Sequence, residues 1–162
     1  MAGTMSDTDT ATAVRWLTPA EQDVWRAFLD VSRLLFEQLN RQLSDEAGMS
    51  LAEYEILVQL SEAPDRRLRM SELADRAVSS RSRVTHTVAR MEQRGLVRRE
   101  ACADDGRGVL CCLTDAGFFT LVEAAPGHVR AVLAALFEPL SPEDVSALGR
   151  ALGAVRAGLR SA

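Results

Sequence analysis

Lysine is absent from the 162-residue sequence, and all 19 of its basic side chains are arginine. That bias reflects codon usage as much as any need for guanidinium chemistry. Histidine is scarce, occurring only as His86 and His128, and the three cysteines are Cys102, Cys111 and Cys112. An odd number of cysteines in one short segment does not make the disulfide framework of a secreted domain. Neither histidine stands at a zinc-motif spacing from a cysteine, so no metal site is expected. The cysteines read as small, partly buried strand residues. No run approaches the roughly 18 consecutive apolar residues of a membrane span, and residues 1–13, rich in Thr, Ser and Asp, lack the basic start and apolar core of a signal peptide. A cytoplasmic protein with no membrane partner is the expectation. Also missing are a nucleophile beside a histidine and an acid, a Gly-rich phosphate loop and paired metal ligands. The chain is therefore expected not to be an enzyme and to need no cofactor.

What the sequence does have is apolar material, 47% of its residues, enough for one domain or a domain with a helical extension. The net charge of −4 argues at first against a nucleic-acid partner. Its distribution reverses that, because residues 66–107 carry 11 Arg against 6 Asp and Glu, a local charge of +5, while the remainder carries −9. A basic middle is flanked by acidic ends.

Residues 1–15 show no periodicity and read as a mobile tail. Thr18, Pro19 and Glu21 then form a helix start with a capping box. From Val24 to Leu43 the apolar residues cover more than half the helix circumference before Gly48 ends the run. So wide a band exceeds one core contact and suggests a second chain. Ser50 and Glu53 repeat the capping spacing and open a helix from Leu51 to about Glu62, stopped by Pro64. A short helix follows near Ser71–Ala77, then a turn, then the stretch Ser79–Gly95. With Val84 set at zero and about 100° per residue, Val84, Val88 and Met91 share an arc of about 60°. Ser79, Ser82, His86, Ala89, Arg90 and Gln93 point the other way. Two helices joined by a tight turn, the second with an Arg-, Ser- and Thr-rich outer face, form a helix-turn-helix arrangement.

Gly95 is placed to cap the second helix, and Leu96–Glu100 turns extended. With Val109–Leu113 it predicts a β-hairpin whose tip includes Asp104, Asp105 and Gly106. Thr114 caps a long helix to about Phe137, which Pro126-Gly127 should kink or break. Ser141-Pro142-Glu143-Asp144 starts the last helix.

This order of elements, together with Ser71-Glu72-Leu73-Ala74, Met91-Glu92, Arg94-Gly95-Leu96-Val97-Arg98, Asp105-Gly106-Arg107 and Leu113-Thr114-Asp115-Ala116-Gly117, resembles the MarR family of winged helix-turn-helix transcription regulators over about residues 18–160. The resemblance implies a mainly α fold with a small β-hairpin wing. Its expected parts are a tail (1–17), a dimerisation helix (18–48), a DNA-binding lobe (50–113) and C-terminal dimerisation helices (114–162). It also implies a homodimer whose repression of transcription is relieved by a small ligand or by oxidation. Arg107 would enter the minor groove with Asp105 orienting its guanidinium, and a narrow minor groove does attract Arg.

Ser79, Ser82, Arg83 and His86 are expected near the floor of the major groove of double-stranded DNA, with Arg81, Thr85, Thr87 and Arg90 toward its walls. Arg83, at about 260° on the wheel, reaches either a base or a phosphate. Of Arg98 and Arg99, which alternate across a strand, one is expected to touch phosphate. His128 reads as a helix-surface residue. The family's peroxide sensors use a cysteine in the first helix, and residues 20–45 contain none. The effector would lodge between the dimer helices and the DNA-binding lobe, but no residue pattern identifies it. The alternative is a protein-interaction module that uses the Arg face to grip an acidic partner.

Overall fold

The computed structural model describes residues 14–77, 79–102 and 108–161, which fall into two units divided between Leu34 and Leu35. The first holds the N-terminal part of helix α1 (Pro19–Ala47). The second holds the rest of α1, then α2 (Leu51–Ser61), β1 (Arg67–Arg69), α3 (Met70–Arg76), α4 (Arg81–Gln93), β2 (Val97–Ala101), β3 (Val109–Leu113), α5 (Asp115–Val132) and α6 (Pro142–Ser161). The fold is mainly helical with one small antiparallel sheet.

The helix starts follow their local chemistry. Thr18 Oγ1 accepts the Glu21 N–H at 3.2 Å while the Glu21 carboxylate accepts the Thr18 N–H at 2.8 Å. Ser50 and Glu53 form the same reciprocal box on α2. Thr114 Oγ1 accepts the Gly117 N–H at the head of α5, and Ser141 Oγ accepts the Asp144 N–H at the head of α6. Each such cap is worth about 0.5–2 kcal/mol.

The expected hairpin pairs Val97 with Leu113 through to Ala101 with Val109. A third strand was not anticipated. Arg67–Arg69 pairs with β3 on its other side, giving the order β1-β3-β2. Three residues, Arg-Leu-Arg, are too short to display a period of two, and what makes them a strand is tertiary: Leu68 is buried opposite Cys111. Of the kink or break expected at Pro126-Gly127, the break does not occur, since α5 runs through it. The irregularity lies further on, where Leu133–Phe137 widens into a π-helical turn. Asp115–Phe137, 23 residues, is long and apolar enough to cross a membrane by length and composition, although charged and polar residues interrupt its apolar runs.

Leu43, Leu57, Leu60, Leu73, Val88, Met91, Val97 and Cys111 form the fully buried centre of the core. They bring α2, α3, α4, the sheet and the end of α1 together. Helix α4 leaves this core through a Schellman turn: Gly95 has a φ of 72°, its N–H donates to Glu92 O, and the Leu96 N–H donates to Met91 O. The start of α5 sits directly on that turn. Thr114 Oγ1 donates to the carbonyls of Gly95 and Leu96, at 2.7 and 3.0 Å, and the Thr114 N–H also donates to Leu96 O.

Gly117 makes the approach possible, because a Cβ there would lie 2.0 Å from Leu96 O and 2.8 Å from Leu113 Cδ1. The obstructing oxygen is backbone and cannot rotate away. Gly117→Ala is therefore expected to destabilise the fold by about 1–3 kcal/mol. A chain of this size should show that as a lowering of Tm by about 2–4 °C per kcal/mol. An unchanged or raised Tm by calorimetry would contradict the packing described.

Candidate nucleic-acid interface

The helix-turn-helix consists of α3, a turn and α4. The Ala77 N–H donates to Leu73 O and the Ser79 N–H to Ala74 O, which folds the chain back sharply. Ser80 is the N-cap of α4, its hydroxyl accepting the Arg83 N–H at 3.3 Å. The helix accordingly begins at Arg81, and Ser79 lies half-buried in the turn rather than on a helix face.

Along α4, Arg81, Ser82, Arg83, Thr85, His86, Arg90 and Gln93 are exposed, whereas Val84, Val88 and Met91 are buried. Thr87 departs from expectation, being only 5% exposed. At about 300° on the wheel it sits about 40° from Met91 and belongs to the packing face. Thr85 is exposed, but its hydroxyl donates to the Arg81 carbonyl at 2.8 Å. Asp105 and Arg107 lie outside the described residues. The base of their loop is defined, with the Cys102 N–H donating to Gly108 O at 2.9 Å.

Electrostatics separates the lobe's arginines into two groups. Arg76 pairs with Glu72, Arg94 with Glu53, Arg98 with Glu100 and Arg99 with Glu92. Among the described residues, no carboxylate lies within ion-pair distance of Arg81, Arg83 or Arg90. The first turn of α4 also has no acid, so its positive helix end is uncompensated. An exposed face with guanidinium groups that no described carboxylate pairs, at a helix N-terminus without an acid, is suited to an anionic polymer.

The expectation that Arg98 or Arg99 reaches a phosphate meets a different arrangement, since both guanidinium groups are engaged by carboxylates. Glu92 grips Arg99 twice, accepting its backbone N–H and its Nε–H, both at 2.9 Å. Glu53, buried at the head of α2, completes its capping box and faces Arg94 at 3.4 Å from the end of α4. These acids tie the elements of the lobe together, and no sequence spacing announces the Glu53–Arg94 pair because the two residues are 41 apart.

The cysteines are buried. Burial pushes the Cys111 thiol up to about 12, so it is no thiolate at neutral pH. His128 is half-buried rather than on the surface, its ring 4.3 Å from that of Tyr54. Among the described residues no group of three His, Cys, Asp or Glu side chains could hold a metal ion.

The pattern of the MarR family matches residues 47–108. Sco3205, a MarR family transcriptional regulator from Streptomyces coelicolor solved in complex with DNA, is 49% identical, with 90% of this chain and 92% of that chain covered and a TM-score of 0.86. This chain belongs to the MarR family. AbsC, another MarR family regulator of Streptomyces coelicolor, is 44% identical over 92% of this chain and all of its own, again with a TM-score of 0.86. The HTH-type transcriptional repressor YetL of Bacillus subtilis (strain 168) is 26% identical over 131 residues, 81% of this chain and 77% of that protein. As a MarR family transcriptional regulator, the protein is DNA-binding and not an enzyme.

The wing base should respond to acid in a defined direction. Arg99 holds the Glu92 carboxyl below its ordinary value of 4.5, and Arg98 does the same for Glu100. Depressed folded-state values mean that this stabilisation is complete above pH 4.5 and is lost as pH falls through them. The Arg99 amide proton is therefore expected to keep its protection from exchange through pH 4.5 and to lose it only as pH falls through the depressed Glu92 value. Loss of that protection already above pH 4.5, followed by NMR, would contradict the pairing.

Proposed function

We propose that this MarR family protein is a dimeric, cytoplasmic repressor that reads an imperfect palindrome, with α4 in the major groove and the hairpin tip in the minor groove. The observation that carries this reading is the unpaired set Arg81, Arg83 and Arg90 on the face that also presents Ser82 and His86. Residues near the start of a recognition helix reach base edges, which favours Ser82, Arg83 and His86 for selection. Arg81 and Arg90 are placed for phosphate. Thr87 drops out of the reading set because it is buried, and Arg107 with Asp105 remains the proposed minor-groove element.

A homodimer accounts for apolar surface that the single chain leaves open. Val24, Trp25 and Phe28 of α1, Phe119, Val122 and Val129 of α5, and Leu152, Val155 and Leu159 of α6 are all exposed, Leu159 to 76%. Patches of this kind on a regulator mark association surfaces. A dimer would set two α4 helices about 34 Å apart, one DNA turn.

Release by a small ligand is proposed in preference to oxidation, since α1 has no cysteine and the Cys111 thiol is held neutral. Two buried polar atoms without partners, Gln42 Oε1 and His128 Nδ1, support a polar effector contact beside Tyr54.

Equilibrium binding to operator DNA at several salt concentrations tests the reading. If the dimer neutralises about eight phosphates, log affinity should fall against log salt with a slope near −7. Arg81→Ala and Arg90→Ala should each make that slope shallower by about two for a dimer, with little change in base preference. A salt-independent affinity, or capture of an acidic protein in place of DNA, would overturn the proposal.

A further inference from the structure

We propose that Glu92 is the positioning residue for the wing, fixing the hairpin against the recognition helix so that both grooves are engaged in one docking event. This rests on the reading that the hairpin tip enters the minor groove.

β2 is an edge strand in the order β1-β3-β2. Its residue Arg99 directs its N–H away from β3 onto Glu92 Oε1 at 2.9 Å, filling a donor that an open edge would leave unpaired. The same side chain closes on the guanidinium through Oε2, 2.9 Å from Nε and 2.7 Å from a terminal nitrogen. Backbone and side chain of one residue are thus held by one carboxylate. Val97 anchors the start of β2 in the core, and Glu92 fixes the strand two residues further along. Arg98 lies on the opposite face and pairs with Glu100, within its own strand. The clamp joins α4, whose exposed face carries the unpaired arginines, to the strand that leads out to the hairpin loop.

Coulomb's law makes the proposal testable by sign. Glu92 is a negative charge on the helix that approaches phosphate, so its removal should tighten DNA binding if charge were its only effect. If Glu92 aligns the wing, its removal should weaken binding instead. Two substitutions separate its parts. Glu92→Ala removes the carboxylate and the acceptor for the Arg99 N–H. Glu92→Gln removes the same charge but leaves an amide oxygen to accept that N–H.

The test measures operator affinity of both variants well below their Tm, with dimethyl sulfate protection at matched occupancy to report guanine N7 in the major groove and adenine N3 in the minor groove. Glu92→Ala is expected to weaken binding about tenfold or more, with Glu92→Gln intermediate. Guanine protection should persist while adenine protection at the flanks is lost. Equal or tighter binding by Glu92→Ala would overturn the proposal, as would weaker binding with both protections intact. Absence of adenine protection in the unsubstituted protein would instead overturn the minor-groove reading on which the proposal rests.

Discussion

The reading lobe depends on one turn, Gly95-Leu96, where three elements meet. The left-handed φ of Gly95 ends α4, the Thr114 hydroxyl donates to the carbonyls of Gly95 and Leu96, and Gly117 contributes the absence of a Cβ that lets α5 settle on them. One short segment therefore sets where α4 stops, where β2 begins and how the long helix α5 departs. A change at the turn would be transmitted to α4 and α5 together, since a close-packed contact such as that of Gly117 on Leu96 passes strain on.

Around this turn the acidic residues have a positioning role. Glu53 ties the end of α4 to the head of α2, and Glu92 ties α4 to β2. Both sit away from the outward face of α4, which keeps its own arginines free. Exposed ion pairs contribute little to global stability. Their value here is geometric: with Glu100 on Arg98 they occupy Arg94, Arg98 and Arg99, and on α4 they leave Arg81, Arg83 and Arg90 without a carboxylate among the described residues. A protein with a net charge of −4 can bind DNA on these terms because residues 66–107 carry a local charge of +5 while the remainder carries −9.

Local chemistry made much of this legible in the sequence. Caps at Thr18, Ser50 and Thr114, the glycine at position 95 and the apolar period of Val84, Val88 and Met91 each carry their structural consequence within a few residues. The elements that escaped are those decided at a distance. β1 exists because Leu68 finds Cys111 across the sheet, and Thr87 is buried because α4 packs over a wider arc than its three largest apolar residues define. Pro126 does not break α5, which continues through it to a π-helical turn. The Glu92 clamp was present in the sequence as part of a family motif, but its action on a backbone N–H could be seen only once β2 was known to be an edge.

Whether the outward face of α4 selects DNA sequence is decided by selecting bound sites from random DNA with the intact protein and with Arg83→Ala and His86→Ala. The expected site is an inverted repeat with half-sites about 10 base pairs apart, centre to centre, with altered base preference at defined positions within each half-site for at least one variant. An unrelated or single asymmetric site, or identical preferences for all three proteins, would contradict that role.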